Sequence, residues 1–175
     1  MANTYILIAS TTVGSGGASS ITFSPISSNY TDLVLKVSAR DNRSSNPSDD
    51  FKVTINNNTS ATYTTKRLSG ISSVSSDGAS GTGPANSYSG VLTGPTSTGN
   101  TFGNTEFYFP NYTSSNVKSW ICTGSGETNS TYAQLSMYVN LTSDTNAITS
   151  IKLEGYNDNN IQQYSTAYLY GIKNS

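Results

Sequence analysis

Side chains able to carry out acid–base or metal chemistry are scarce in this chain. Its 175 residues include no His and a single Cys, Cys122. The lack of His removes the most common general base and metal ligand, together with Ser-His and Cys-His nucleophile pairs. One Cys also excludes a thiolate zinc site and an internal disulfide. An enzymatic activity would therefore have to depend on carboxylates.

The carboxylates suggest one catalytic hypothesis, centred on Glu106. Most of the ten acidic residues lie in turn-like segments, where a short acid bends or caps the backbone. Glu106 instead lies in an alternating segment beside Tyr108, where an acid could meet a sugar. A glycosidase needs two carboxylates about 5 to 10 Å apart. The competing interpretation of Glu106 is an outward, solvated acid, which we favour, and we expect no enzyme, no catalytic residue and no cofactor.

Two polar segments gather oxygen ligands of the kind that calcium accepts. They are "DNRSSNPSDD", residues 41–50, and "GYNDNN", residues 155–160. Neither keeps the spacing of a known calcium loop, and turn chemistry explains both. We therefore expect no metal site.

The composition indicates an all-β protein. Charged residues make up 11 % of the chain, roughly two residues in five are Ser, Thr or Asn, and 12 Tyr and 5 Phe favour strands. A net charge of -1 without a concentrated basic patch argues against a nucleic-acid partner. The apolar run at residues 5–9 is far too short to enter a membrane, so no membrane partner is expected.

Alternating apolar and polar residues predict about ten antiparallel strands in one domain spanning residues 1–175. This number calls for two packed sheets or a closed barrel. Residues 51–55 and 61–68 are expected to form a hairpin around "NNNTS". The Gly- and Ser-rich region at about 69–103 is expected to project as a loop, with a strand near Val91 pinning its middle.

Parity within the strands predicts which side chains are buried. Leu33, Leu35, Val37 and Ala39 share one side of "DLVLKVSAR", and Phe107 and Phe109 share one side of "NTEFYF". Trp120 is expected in the core, with Cys122 on the same side. The longest pattern is "YAQLSMYVNLT", in which we expect the apolar side to be hidden and the polar side to face outward. The apolar residues of that segment are Ala133, Leu135, Met137, Val139 and Leu141.

Tyrosines on the polar side of strands are candidate contact residues. Exposed Tyr with Asn, Ser and Gln forms a surface suited to protein or sugar. Cross-strand Tyr pairs that stabilise a sheet are the alternative. The candidate interface residues are Tyr88, Tyr108, Tyr112, Tyr132 and Tyr138.

Four segments of the chain form an ordered set of phrases: "TYILIASTTVGSGGASSITFSPI", "YTDLVLKVSAR", "NTFGNTEFYFPNYTSSNVKSW" and "YSTAYLYGI". They resemble a family of small β-rich virion proteins of tailed bacteriophages, frequent among phages of cyanobacteria and other aquatic bacteria. The resemblance covers nearly the whole chain apart from the region around residues 72–85, and it implies a jelly-roll-like sandwich in a virion.

We consider three functional hypotheses, of which the first two follow from the resemblance to virion proteins and the third from Glu106. The first is a capsid cement or decoration protein on the capsid surface, made in the host bacterial cytoplasm. It would bind the major capsid protein at capsomer junctions and assemble with copies of itself, as a homotrimer. We expect no separate anchor or shaft segment, so the sandwich would attach by strand edges and the region at 69–103. The second is a tail or fibre module that recognises host surface polysaccharide, and the third is the glycan hydrolase described above.

Overall fold

A computed structural model describes residues 4–43, 46–71, 74–77, 83–84, 86–130 and 133–173. These residues form thirteen β-strands and one short 3-10 turn, Tyr156–Asp158. The described part of the chain holds no helix long and apolar enough to cross a membrane. In chain order the strands are β1 (Tyr5–Thr12), β2 (Ser20–Phe23), β3 (Asp32–Ala39), β4 (Ser48–Ile55), β5 (Thr62–Gly70), β6 (Val74–Asp77), β7 (Gly83–Pro84), β8 (Ser87–Thr93), β9 (Gly103–Phe109), β10 (Lys118–Glu127), β11 (Ala133–Thr142), β12 (Ile151–Gly155) and β13 (Thr166–Ile172).

Two antiparallel sheets contain all of these strands, which confirms the predicted β-sandwich. The larger sheet has the order β1, β13, β3, β9, β10, β11, β5 and β6, with β7 also paired to β5. The smaller sheet has the order β2, β12, β4 and β8. Side chains on the inner faces of the two sheets pack together, as sandwich packing requires.

Eight of the strands have the pairing of a jelly roll. The first strand pairs with the last, β1 with β13, and β2 pairs with β12, β3 with β9 and β4 with β8. The β13–β3 and β12–β4 pairings then complete two four-stranded sheets. The chain is therefore a long hairpin wrapped onto itself, the double Greek key of this architecture.

The larger sheet continues beyond the jelly roll through β10, β11 and β5. This extension packs closely against β8, an edge strand of the smaller sheet. A Cβ atom added at Gly124 of β10 would lie 2.8 Å from Val91 Cγ2 and 2.9 Å from the Val91 backbone nitrogen. Glycine at position 124 therefore lets the two strands approach each other.

The core lies between the two sheets and confirms the predicted direction of β3 and β9. Leu33 and Leu35 are fully buried, as is Phe107, whose ring meets that of Phe51 from the smaller sheet at 6.1 Å between centroids. Trp120 and Cys122 are also buried, as predicted. Aromatic edge-to-face contacts of this kind add to the free energy gained from burial.

The predicted hairpin between residues 51–55 and 61–68 is wrong. Strand β4 pairs with β12 and β8 in the smaller sheet, whereas β5 pairs with β11 in the larger one. The connection turns at Asn56 and Asn57, which have φ angles of 56° and 50°. Asn56 also bonds to the residue just before β12, because its backbone N–H donates to the Ser150 carbonyl at 2.9 Å. The turn thus carries the chain from one sheet to the other.

The region at residues 69–103 contributes strands to both sheets. Strands β6 and β7 pair with β5, and β8 forms an edge of the smaller sheet. Val91 is fully buried, which agrees with the expectation that a strand near it fixes the middle of the region. Residues 78–82 lie outside the described part of the chain.

The predicted direction of β11 is also wrong, although the predicted alternation of its buried and exposed residues is confirmed. The buried residues of β11 are the even-numbered ones from Gln134 to Thr142, and the odd-numbered ones are exposed. Tyr138 is 1 % exposed, whereas its neighbour Val139 is 54 % exposed. The polar side therefore faces the interior and the aliphatic side faces outward.

Candidate interaction surface

The outer face of the larger sheet, the side turned away from the smaller sheet, carries side chains in rows defined by strand register. One row crosses six strands, from Tyr168 of β13 to Leu68 of β5. Its character changes along the way, from an aromatic residue through charged and polar residues to aliphatic ones. The row consists of Tyr168, Lys36, Glu106, Thr123, Met137 and Leu68.

An aliphatic surface occupies the β10, β11 and β5 end of this outer face. Leu135 is 64 % exposed and Met137 is 45 % exposed. Val139 lies directly opposite Ile121 of β10, and Met137 lies opposite Leu68 of β5, so the side chains are contiguous across three strands. We call this surface the aliphatic face, and it consists of Leu68, Ile121, Leu135, Met137, Val139 and Leu141.

The direction of β11 is fixed by Tyr138 on its inner side. The Tyr138 hydroxyl donates a hydrogen bond of 2.7 Å to Asp50 Oδ1 and lies 3.0 Å from the Gly90 carbonyl oxygen. Asp50 also forms an ion pair of 3.6 Å with Arg67 of β5. Burial, followed by the charge of Asp50, raises the pKa of the Tyr138 phenol well above its usual range. The phenol is therefore a permanent donor that links the extension to the bulge between β4 and β8.

Other polar side chains on the inner side of β11 bond to one another. The Thr65 hydroxyl of β5 donates to Asn140 Oδ1 at 2.9 Å, and Gln134 Nε2 lies 3.3 Å from the Ser136 hydroxyl. Within the described residues, Gln134 Oε1 and Asn140 Nδ2 have no hydrogen-bond partner. Buried polar groups of this kind reduce stability compared with an apolar side. The inward polar side thus gives no advantage to the isolated fold.

The outer face of the smaller sheet has the opposite character. Glu154 lies between two lysines, with Lys152 Nζ at 2.7 Å and Lys52 Nζ at 3.5 Å. Tyr88 continues the same row, since it pairs with Lys52, and its ring packs on that of Tyr156 at 5.0 Å between centroids. Charged, mutually paired side chains are typical of a surface that faces water. The two outer faces are therefore chemically distinct.

A shallow groove of about 440 Å³ crosses the outer face of the larger sheet beside the aliphatic face. Small polar side chains form one row of its lining, namely Thr166, Ser38, Asn104 and Ser125, and Leu135 closes that row. The four strand spacings from β13 to β11 give the groove a length of roughly 19 Å.

An ion pair lies in the middle of this groove, and a tyrosine lies at one end. Lys36 Nζ is 3.0 Å from Glu106 Oε2, and both side chains are about half exposed. The hydrogen bond to Glu106 raises the pKa of Lys36. Tyr168 presents its ring to the groove with 39 % exposure. The groove is thus electrically balanced and rich in hydroxyl and amide groups.

The five tyrosines proposed from the sequence occupy different environments. Tyr112 and Tyr138 are buried, and the Tyr112 hydroxyl donates to the Ser27 carbonyl. Tyr108 is half-buried on the outer face of the larger sheet, where its hydroxyl donates to Asp32 Oδ2 at 2.9 Å. Tyr88 is exposed on the smaller sheet, and Tyr132 lies outside the described residues. The four described tyrosines therefore do not come together into one surface.

The carboxylates that the sequence analysis singled out lie in different surroundings, with Glu106 half exposed and Asp41 and Asp49 buried. The residues opposite Glu106 on the two neighbouring strands are Lys36 and Thr123, so neither position supplies the second carboxylate that a glycosidase needs. In the segment at 41–50, Asp41 and Asp49 come together in a buried position. Among the described residues, no group of three or more Asp, Glu or Cys side chains could hold a metal ion.

Comparison of the chain with protein-family models, with curated proteins and with solved structures finds no match. A function must therefore be inferred from the chemistry of its own surfaces.

Replacing Tyr138 tests the inner side of β11. Tyr138→Phe removes a fully buried hydroxyl that bonds to Asp50 and Gly90, and water cannot replace these bonds at a buried position, so it should lower the free energy of unfolding by about 1 to 3 kcal/mol. The matched control is Tyr108→Phe, whose hydroxyl bonds to Asp32 on the outer face and should cost below about 1 kcal/mol. Urea unfolding of both variants measures the difference. Equal small losses would contradict the buried position of Tyr138.

Proposed function

We propose that this protein is a structural protein of a bacteriophage particle, of the capsid cement or decoration type, whose copies associate through the aliphatic face. The observation that carries the proposal is the direction of β11. Its aliphatic side chains point outward while its inner side holds buried polar groups, of which Gln134 Oε1 and Asn140 Nδ2 have no hydrogen-bond partner among the residues that the structure describes. Contiguous exposed apolar side chains are typical of interaction sites, so we infer that the outward side is covered by another chain in the assembled protein.

The occupant that we propose for the aliphatic face is a second copy of this chain. Fully burying a Leu, Ile, Val or Met side chain contributes roughly 1.5 to 3 kcal/mol, and each side chain here is about half exposed. The outer face of the smaller sheet remains charged and hydrated, so each copy has one face for association and one for water. Copies that associate around a closed axis would form the homo-oligomer, a trimer in our proposal.

The particle location is supported by the four segments that resemble small virion proteins and by the jelly-roll pairing. Attachment to the major capsid protein would use surfaces that remain free after oligomerisation, including strand edges and the region at residues 69–103. Ser, Thr, Asn and Tyr suit a wet, polar contact repeated over many copies. In this proposal the protein adds cohesion to a shell and carries out no reaction.

A charge on the aliphatic face should dissociate the oligomer. Val139→Asp places a carboxylate in the middle of this face, opposite Lys66, and we expect a folded monomer in light scattering after size exclusion. The matched control is Thr22→Asp, which places the same charge on an exposed strand position of the smaller sheet, also opposite a lysine, Lys152. The control should keep the wild-type mass, and both variants should change unfolding free energy by less than about 0.5 kcal/mol per monomer.

Two results would contradict association through this face. One is a wild-type chain that stays monomeric at every concentration up to the millimolar range. The other is an oligomer whose mass is unchanged by Val139→Asp but reduced by Thr22→Asp.

The location in the particle is tested separately by imaging. An epitope-tagged chain supplied during infection, or added to purified particles, should label the shell with the symmetry of the capsomer lattice. Label confined to the tail would contradict the cement role and support attachment to the receptor-binding apparatus. Particles without any label would contradict both virion roles.

A second candidate function, recognition of surface polysaccharide, is favoured by the groove beside the aliphatic face. Its Tyr168 ring, its hydroxyl and amide lining and its balanced ion pair suit a neutral, hydroxyl-rich ligand. If this candidate is right, Tyr168→Ala should abolish NMR shift changes caused by cello-, malto- or chito-oligosaccharides. The control Tyr88→Ala, a tyrosine of similar exposure on the smaller sheet, should leave them unchanged. Absence of shifts in the wild type at millimolar sugar would contradict it.

A further inference from the structure

A pair of buried carboxyl groups, Asp41 and Asp49, lies at one end of the sandwich, apart from both outer faces. Asp41 lies two residues after the end of β3, and its backbone N–H donates to the Thr93 carbonyl at 3.0 Å. The neighbouring Asn42 N–H donates to the Asn160 carbonyl at 3.1 Å, and Gln162 N–H donates to the Arg40 carbonyl at 2.7 Å. The segment at 40–42 therefore connects β8 in one sheet with the chain that leads into β13 in the other.

The two carboxyl groups have too few donors for two negative charges. Asp41 is fully buried and Asp49 is 8 % exposed. Asp49 Oδ1 meets Arg43 Nη1 at 2.5 Å and accepts a long 3.5 Å bond from Asn46 Nδ2. Asp41 Oδ1 accepts a long 3.4 Å bond from the Arg43 backbone N–H. Among the described residues, the Oδ2 atom of each carboxyl group has no hydrogen-bond partner. An ionised carboxylate in such a position carries a large desolvation penalty.

The cations around the pair do not supply the missing charge. Arg43 forms the ion pair with Asp49 and lies over the Tyr156 ring at 4.5 Å from its centroid. Arg40 directs its guanidinium to the backbone carbonyls of the 97–101 turn, with bonds of 3.0 Å to Thr98 and Thr101. The positions that bond to the 40–42 segment from β8 and from the chain before β13, Thr93, Asn160 and Gln162, are uncharged. Two carboxyl groups therefore face one closely paired guanidinium, and the charge of Arg40 only partly offsets the increase in the pKa of Asp41 that burial causes.

We propose that Asp41 and Asp49 form a proton-binding site, in which one proton is held between the two buried carboxyl groups and is released to bulk water when the pH rises. Release leaves two buried negative charges beside each other and weakens the junction at residues 40–42. The inference goes beyond the virion role, because it concerns the pH range over which the sandwich keeps this end closed.

The ionisation behaviour supports the same site. Burial, followed by the charge of Asp49, raises the pKa of Asp41 from 3.8 to about 7. Burial also raises the pKa of Asp49, while Arg43 opposes that change. An unfolded chain has released the Asp41 proton well below pH 7, whereas the folded chain still holds it. Stability contributed by this proton is therefore complete below about pH 4, decreases as the pH rises, and is lost above about pH 7.

Urea unfolding between pH 4 and 8.5 tests this site. Relative to Asp41→Asn, the wild-type folding equilibrium constant should decrease by about tenfold for each pH unit between about pH 4 and 7. The matched control is Glu106→Gln, which neutralises a half-exposed acid on the outer face and should keep the wild-type slope. The amides of Asp41, Asn42 and Gln162 should exchange with solvent faster above pH 7 in the wild type. The increase in rate should exceed the increase that base catalysis of exchange alone produces.

A direct titration of the wild-type carboxyl groups tests the site even if the Asp41→Asn variant fails to fold. Carbon-13 NMR of the wild-type carboxyl groups should show Asp41 titrating near pH 7. A midpoint near pH 4, or identical pH slopes for the wild type and Asp41→Asn, would overturn the proposal. Stabilisation by millimolar calcium chloride at pH 8 in the wild type but not in Asp41→Asn would also overturn it, because a divalent cation would then occupy the site in place of the proton.

Discussion

The hydrogen bonds of the Tyr138 hydroxyl to Asp50 and Gly90 decide which side of β11 faces the interior, and the chemistry of the outer face follows from that choice. Side chains alternate along a strand, so an inward Tyr138 forces Met137 and Val139 outward. Strand β11 is in turn paired on both sides, with β10 and β5, which spreads the aliphatic face over three strands. One buried phenol thus determines where the chain presents its aliphatic face.

The sequence predicted the fold class correctly because apolar and polar residues that alternate along a segment are typical of a β-strand with one buried side. They also gave the direction of β3 and β9, whose inner sides carry Leu33, Leu35 and Phe107 against a core rich in aromatic residues. They failed for β11, because alternation separates two sides without stating which one is inside. The burial of Tyr138 depends on Asp50 and Gly90, some 88 and 48 residues away in the chain, and no local pattern contains that information.

Two further features depended on tertiary contacts in the same way. The turn after β4 looked like a hairpin because two strand-like segments flank "NNNTS", but positive φ angles at Asn56 and Asn57 direct the chain to the other sheet. The sequence shows that the segment containing Asp41 and Asp49 is rich in side-chain oxygen atoms. Their burial beside Arg43 depends on the tertiary junction of β3, β8 and the chain before β13, which the sequence does not show. In both cases the residues are Asn or Asp, which occur in many kinds of turn. The conformation of the turn and the burial of the side chains depend on tertiary contacts.

Thiol labelling of two adjacent positions in β11 tests the central claim most directly, with the native Cys122 as a buried internal reference. Met137→Cys should react with a maleimide at a rate close to that of a free thiol in dilute protein, and more slowly as concentration rises and copies associate. The near-isosteric Ser136→Cys, at a fully buried position, should stay unreactive at every concentration. Fast labelling of the Ser136→Cys variant, together with protection of the Met137→Cys variant even in dilute protein, would show that the aliphatic side faces the core, and would contradict the account.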